Sequence, residues 1–319
     1  MSALAVRLAH ELDVCPEEKR WLIEGLWAAE AVGIIGGEPK CCKSFLALDM
    51  AVAVASGTPC LRRFPTPKRG RVLLFAAEDS LAIVRERLAG IAAAADLAFD
   101  SLGIHVVLEP VVRLDIELDR ARLEETVKNL APALLILDPF VRLHRVDENL
   151  SADVAPLLDY LRGLQRRHKL AVALVHHARK GAAHLRAGQA LRGSSELHAW
   201  GDSNLYLRRN GNNGLSLSIE HRAAPSVDGL ALALHADGKA IALRIADGDP
   251  IISAIAIPET ASPIDRVLHI LTNATQPLTH REIRDLARIR SASVGDALTA
   301  TVDDGRAVKI DGRYKLVGR

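Results

Sequence analysis

The stretch Gly36–Ser44, with the sequence GGEPKCCKS, nearly matches a pattern that binds phosphate groups. A phosphate-binding loop reads G-x-x-x-x-G-K-[ST]; its backbone N–H groups surround the phosphates, its lysine reaches the β- and γ-phosphates, and its hydroxyl ligates Mg²⁺. Gly37 begins the match, Lys43 and Ser44 end it, and Cys42 replaces the second glycine. We expect a right-handed helical conformation at Cys42, which suits a small residue. Unless the match is chance, ATP contacts Gly37, Glu38, Pro39, Lys40, Cys41, Cys42, Lys43, Ser44 and Phe45.

Acidic residues at the ends of two apolar runs would complete such a site. Asp138 ends the run LLILD, where a carboxylate can hold the water shell of Mg²⁺ together with the Ser44 hydroxyl. Glu78 ends VLLFAAE and is our candidate general base for activating water, with Asp79 as the second choice. The alternative is that Glu78 belongs to an acidic helix cap with Asp79 and Ser80.

Apolar runs and helical patterns alternate over residues 20–246, which is typical of an α/β domain with a largely parallel sheet. Ala31–Gly37 reads as a buried strand that leads into the loop, and Ser44–Ser56 reads as the helix after it. Only at a helix N-terminus do successive N–H groups and the helix dipole point at one anion, so this context supports the loop. The later strands alternate in polarity and predict an antiparallel extension of the sheet.

The last part of the chain follows a different pattern. Residues 1–19 are predicted to be a helical lead to the domain 20–246, and residues 247–263 a proline-containing linker. Residues 264–319 predict three helices and a two-stranded ribbon, in the order of a winged helix-turn-helix. Nine Lys/Arg against six acids from residue 281 onward make the region mildly basic, with Arg288 and Arg290 before the recognition helix and Arg313 and Lys315 on the wing. The partner is duplex DNA or a protein.

Composition excludes several classes of protein. The 319 residues are 49% apolar, yet no apolar run reaches the roughly 18–20 residues of a membrane span, and no signal-peptide pattern begins the chain. The four cysteines form no C-x-x-C pair, so neither zinc nor a disulfide framework is expected. A net charge of +2 with 3% aromatics argues against a base-stacking groove. We expect a cytoplasmic protein without a membrane partner.

The chain resembles the RecA-type ATPases, and among them the small ring helicases of the plasmid RepA type. The resemblance covers roughly residues 20–225, and its most specific part is VHHARKGA followed by RGSS. The segments that carry it are GGEPKCCKSFLALDMAVAVASG, VLLFAAEDS, LLILDPFVRLHRVDENLSADV, LVHHARKGA and ALRGSSELHAWGDSNLYL.

The resemblance implies roles for residues beyond the loop. His177 falls on the γ-phosphate sensor, with His176 as its support, and Arg192 falls on the arginine finger that enters the neighbouring subunit's site. A surface arginine that caps Ser194–Ser195 is the alternative for Arg192. Arg142 and His144 also match, without a separable role. The loops at 142–154 and Ala178–Ala190 would face single-stranded DNA at the centre of a ring.

Together, these features predict a ring-forming Mg-ATPase, a hexamer, that couples ATP hydrolysis to binding and translocation on single-stranded DNA, as a RepA-type helicase of a mobile element or replicon. The C-terminal region lies outside the resemblance and keeps two alternatives open. One is a DNA-bound regulatory or loading ATPase without unwinding activity. The other, suggested by Cys42, is a nucleotide-binding interaction module with little turnover.

Overall fold

The computed structural model describes residues 4–12, 16, 19–177, 195–209, 214–246, 262–273, 277–287, 291–310 and 312–316. The chain divides into two compact units, Met1–Ala246 and Asp247–Arg319. Within these described ranges, no helix is both long enough and apolar enough to cross a membrane.

The N-terminal unit is built on a nine-stranded sheet. Ahead of it lie a 3-10 turn (Ala9–Glu11) and a short hairpin. The strands in chain order are β1 (Trp21–Ile23) and β2 (Trp27–Ala28) of the hairpin, then β3 (Val32–Gly37), β4 (Val72–Ala76), β5 (Ile104–Val106), β6 (Leu134–Asp138), β7 (Ala171–His177), β8 (Ser203–Arg209), β9 (Leu215–His221), β10 (Val227–Asp237) and β11 (Ala240–Ile245). The sheet order is β11-β10-β9-β8-β3-β7-β6-β4-β5.

The sheet is mostly parallel. All neighbouring strands from β8 to β5 are parallel, whereas the pairs from β8 to β11 are antiparallel, as the alternating sequence of the later strands predicts. Strands β3, β6 and β7 are almost entirely buried, which agrees with their continuous apolar runs. The α/β class and the parallel sheet predicted from the sequence are confirmed.

Helices connect the parallel strands and place polar side chains at the carboxyl edge of the sheet. They are α1 (Lys43–Ser56), α2 (Leu81–Ala93), α3 (Glu117–Leu130), α4 (Ser151–His168) and α5 (Ser195–Trp200). Helix α1 ends at Gly57, whose φ of 81° supplies the left-handed C-cap. A cluster of buried side chains from β3, β4, β6, β7, α3 and α4 forms a core against one face of the sheet.

The C-terminal unit contains helices α6 (Pro263–Asn273), α7 (His280–Ala287) and α8 (Ser291–Asp303). Its strands β12 (Leu278–Thr279), β13 (Ala307–Ile310) and β14 (Arg313–Leu316) form an antiparallel sheet in the order β12-β14-β13. The side chain of Thr279 and that of Glu282 hydrogen-bond each other's backbone N–H, which is the capping box that the sequence predicts for α7. A separate apolar cluster, including Val267, Ile283 and Leu298, forms the core of this unit.

Candidate functional site

The predicted phosphate loop lies where β3 ends and α1 begins. Gly37 is the last residue of β3 and has a φ of 155°, and α1 starts at Lys43. A Cβ atom at Gly37 would lie 2.4 Å from the carbonyl oxygen of Leu207 and 2.7 Å from Cys41 Sγ. Only glycine therefore fits at the start of the loop.

The backbone at Cys42 is left-handed, with φ 65° and ψ 25°. The expectation of a right-handed conformation at this position is wrong. Glycine would adopt this positive φ at little energetic cost. Cysteine adopts it here despite the steric repulsion between its Cβ atom and the backbone. The reason is geometric, since the chain must turn sharply out of the loop to begin α1 at the next residue. Burial raises the pKa of the Cys42 thiol, and that of Cys41, so both thiols are kept protonated.

The Lys43 side chain lies within the loop and is buried. Its ammonium group donates to the carbonyl oxygen of Glu38 at 2.7 Å and lies 3.8 Å from Cys41 Sγ. Burial lowers the pKa of Lys43, and the nearby Asp138 and Glu78 carboxylates oppose that effect. Lys43 is therefore a desolvated cation. Its site favours an anionic ligand, because an anion would replace the stabilisation that water gives to an exposed ammonium group.

The two predicted magnesium ligands line the same cavity. Ser44 lies in the first turn of α1, and Asp138 lies at the end of β6. Burial raises the pKa of Asp138 to about 6, an effect to which Asp79 and Glu78 contribute and which Ser44 and Lys43 oppose. A hydroxyl and a carboxylate that line one cavity beside a phosphate loop form a donor set that fits Mg²⁺.

Each of the two acidic residues after β4 pairs with an arginine. Glu78 Oε1 accepts a hydrogen bond from Arg142 Nε at 3.0 Å, and both side chains are substantially exposed. The Asp79 carboxylate pairs with Arg87 of α2, while the Ser80 hydroxyl caps α2 by accepting from the backbone N–H of Ile83 at 3.4 Å. Ser80 rather than Glu78 therefore caps the helix, which leaves the Glu78 carboxylate available for chemistry.

One cavity of about 320 Å³ brings most of the predicted residues together. Its lining includes residues of the loop and of the carboxyl ends of β4, β6 and β7: Lys40, Cys41, Cys42, Lys43, Ser44, Phe45, Glu78, Asp79, Asp138 and His177. Gly37, Glu38 and Pro39 belong to the loop but are not among the lining residues. Because these residues converge from four separate segments of the chain, the cavity is the candidate nucleotide site.

Two arginines at this site were not identified from the sequence. Arg87 lines the cavity, and its guanidinium lies 5.2 Å from the centre of the Phe45 ring. Arg209, at the end of β8, donates from Nε and Nη2 to the carbonyl oxygen of Lys40 at 3.1 and 2.8 Å, and so ties the loop to the sheet. Asp79 precedes Ser80, the N-cap of α2, so helical spacing gave no signal for its pairing with Arg87.

The histidines of β7 point to opposite sides of the sheet, as successive strand residues must. His177 pairs in register with Gly37 and lines the cavity. His176 is buried on the other side, near Phe140, with its Nδ1 3.9 Å from Glu148 Oε1. His144 is also buried there, and its Nε2 lies 3.4 Å from the same Glu148 oxygen.

Two predicted features fall outside the described residues. Arg192 and the Ala178–Ala190 loop lie in the segment 178–194, so their roles stay predictions. In the part of the chain that the structure describes, no group of three or more His, Cys, Asp or Glu side chains is arranged to hold a metal ion. The predicted magnesium ligands Ser44 and Asp138 stay a prediction.

A solved structure and a family model are similar to this chain. The chain is similar to the RadB recombinase, a solved structure, at 18% identity over 67% of this chain and 91% of that chain, with a TM-score of 0.47, a similarity too low to assign a function. Residues 2–183, more than half of the chain, match the family model described as an AAA domain. This range includes the loop, Glu78, Asp138 and His177, so these candidate site residues lie within the matched part of the chain. The chain belongs to the AAA domain family of P-loop ATPases.

Proposed function

We propose that this protein is a RecA-type, ring-forming ATPase that couples ATP hydrolysis to binding and translocation on single-stranded DNA, in the manner of RepA-type helicases. The observation that carries the ATPase part is the convergence of Lys43, Ser44, Glu78, Asp138 and His177 on one cavity at the carboxyl edge of the sheet. Strand order supports a single site, because β7 lies between and parallel to the loop strand β3 and the Asp138 strand β6, so the three carboxyl ends share one edge of the sheet.

Different residues of the chain have different roles in ATP hydrolysis. The loop backbone and Lys43 bind the triphosphate, and Lys43 exchanges its bond to the Glu38 carbonyl for one to a phosphate oxygen. Glu78 takes a proton from the attacking water while the bond from the γ-phosphorus to the bridging oxygen breaks and ADP leaves. Arg142 orients the Glu78 carboxylate beforehand through the hydrogen bond between them.

Ser44 and Asp138 would hold Mg²⁺, which supplies charge neutralisation on the β- and γ-phosphates. His177 would contact the γ-phosphate end of the substrate; its register with Gly37, the first residue of the loop, supports this proposal. The contact between His177 and the γ-phosphate would differ before and after hydrolysis. Since β7 continues directly into the segment 178–194, His177 would pass this difference to the loop proposed to bind DNA.

The DNA and assembly parts of the proposal rest on the sequence of the segment 178–194. It carries Arg179, Lys180, Arg186 and Arg192 among glycines and small residues, a composition that suits contact with phosphates along a strand. Arg192 would act from a neighbouring subunit, which requires a head-to-tail interface, and such interfaces close into rings when the rotation per subunit divides the circle.

Mixing two inactive variants tests this shared site. Arg192→Ala should bind ATP but lose roughly 10³-fold or more in turnover, as arginine fingers generally do. Lys43→Ala should lose hydrolysis because the loop loses its cation. Mixtures pair an intact Lys43 site with an intact Arg192 donor, so ATPase activity should partly return; mixtures that co-assemble without recovery would contradict the shared site.

A second candidate is a DNA-bound regulatory or loading ATPase, and the C-terminal unit favours it. That unit has the element order helix, strand, helix, helix, strand, strand, with a three-stranded antiparallel sheet, and we propose that it is a winged helix-turn-helix. A ring helicase of the plasmid type does not need such a unit. Strand displacement on a forked DNA separates the two candidates, because a regulatory ATPase would hydrolyse ATP without unwinding the fork.

A further inference from the structure

We infer that the C-terminal unit binds the phosphate backbone of duplex DNA through the outer face of its β13–β14 ribbon, and not through α8, the helix that a winged helix-turn-helix usually places in the major groove. The inference rests on the proposed winged helix-turn-helix and adds to it the surface and the ligand. The charges and orientations of the side chains on these two elements lead to it.

Helix α8 is poorly suited to DNA. Its thirteen residues include no lysine or arginine. Asp296, Thr299 and Asp303, spaced three and four residues apart, lie on one exposed face of the helix, whereas Val294, Leu298 and the Thr301 hydroxyl face inward. A groove lined with phosphates would lie against two carboxylates with no cation of α8 to offset the repulsion.

The ribbon has the opposite character. Four cations lie among residues 306–315, against the single acidic residue Asp311. The register pairs Val308 with Lys315 and Ile310 with Arg313. Directly opposed side chains share a face, as do residues two apart in a strand, so these four residues form one face of the ribbon. We call this set (Val308, Ile310, Arg313 and Lys315) the outer face.

The other face of the ribbon packs on the helices. Ala307 is buried in the core of the unit, and Tyr314 and Leu316 pack against that core. Lys309 belongs to this inner face, where its ammonium lies 5.3 Å from the centre of the Tyr314 ring. The outer face therefore points away from the helical core.

The outer face combines cations with an exposed aliphatic side chain. The Ile310 side chain is 47% exposed next to the turn, where Gly312 has a φ of 77°. Arg313 donates to the carbonyl oxygen of Pro277 at 3.1 Å and lies 3.7 Å from a Glu282 carboxylate oxygen, and its side chain is 48% exposed. Two cations beside an aliphatic group fit phosphates and the adjoining sugar surface of a DNA groove.

The test measures binding of the full chain to a labelled mixed-sequence duplex, without nucleotide, over a range of salt concentrations. Each phosphate contact contributes about 0.9 to the slope of log K against log salt, or about fivefold in affinity at 0.15 M salt. Arg313→Gln combined with Lys315→Gln should therefore weaken binding about 30-fold and reduce the slope by about 2.

Three control variants locate the surface. Lys309→Gln removes the same charge from the opposite face and should change affinity less than about twofold, as should Thr299→Glu, which adds an anion to the exposed face of α8. Arg313→Lys combined with Lys315→Arg keeps both charges and should retain most of the binding, which excludes loss of folding as the cause. Retained secondary structure by circular dichroism checks every variant.

Several results would overturn the inference. A large loss with Thr299→Glu would place α8 in the groove. A loss of about fivefold with Lys309→Gln, which is the effect expected of any one removed charge, would show that net charge alone matters. Unchanged duplex binding in the double variant would favour a protein ligand for this surface. Because no nucleotide is present, these results do not depend on hydrolysis, and the proposed ATPase function stands or fails separately in the mixing experiment.

Discussion

The left-handed backbone at Cys42 leads to a prediction in which the sign of the effect is informative. Cys42→Gly and Cys42→Ala both remove the thiol, so their difference in stability depends on backbone conformation. A left-handed conformation costs a residue with a Cβ roughly 1–2 kcal/mol. Glycine loses about 0.5–1 kcal/mol through the greater freedom of the unfolded chain. The Cys42→Gly variant should therefore be more stable than the Cys42→Ala variant by about 0.5–1 kcal/mol.

A matched position in a regular helix should show the opposite sign. Ala121 is exposed in the middle of α3. Ala121→Gly should destabilise the protein by about 1 kcal/mol, because glycine there has only its entropic cost. Together, the two positions separate the backbone conformation at Cys42 from any general effect of glycine.

Urea unfolding followed by tryptophan fluorescence is a suitable assay, because all three tryptophans (Trp21, Trp27 and Trp200) lie in the N-terminal unit. The midpoints should follow the order Cys42→Gly above Cys42→Ala, with ATPase activity of the glycine variant preserved or raised. If the alanine variant is as stable as the glycine variant or more so, the left-handed assignment and the reasoning built on it are refuted.

Three further predictions concern the nucleotide site. Lys43→Ala should weaken ATP binding in calorimetry, and parental affinity would exclude the loop assignment. Glu78→Gln should bind ATP as the parent does but hydrolyse it about 10²–10⁴-fold more slowly in a steady-state assay, whereas loss of binding would make Glu78 structural. Without nucleotide or magnesium, the pKa of about 6 at Asp138 exceeds the unfolded value of about 4, so its contribution to stability is present below about pH 4 and lost as pH rises through about 6. Asp138→Asn should abolish this loss of stability at rising pH, which amounts to up to about 3 kcal/mol. If the urea midpoint of the variant depends on pH in the same way as that of the parent, the raised pKa of Asp138 is contradicted.

Much of the nucleotide site could be predicted from the sequence because its signals are local. The loop and the start of α1 are contiguous, and a run of buried residues ending in Asp138 must place that carboxylate at the end of a strand. Parallel strands end at the same edge of a sheet, so Glu78 and Asp138 could be placed near the loop before the strand order was known. The capping box of α7 was readable for the same reason, since Thr279 and Glu282 are three residues apart.

The sequence by itself determined the loop, the residues at the strand ends and the division between an α/β region and a helical C-terminal region. The tertiary structure alone decided that β7 lies beside β3, which brings His177 next to Gly37. It also decided the pairing of Glu78 with Arg142, 64 residues away, and the left-handed backbone at Cys42. Periodicity and capping depend on neighbours within a few residues, whereas strand order, ion pairs and loop conformation depend on how distant elements pack, which a single local pattern does not record.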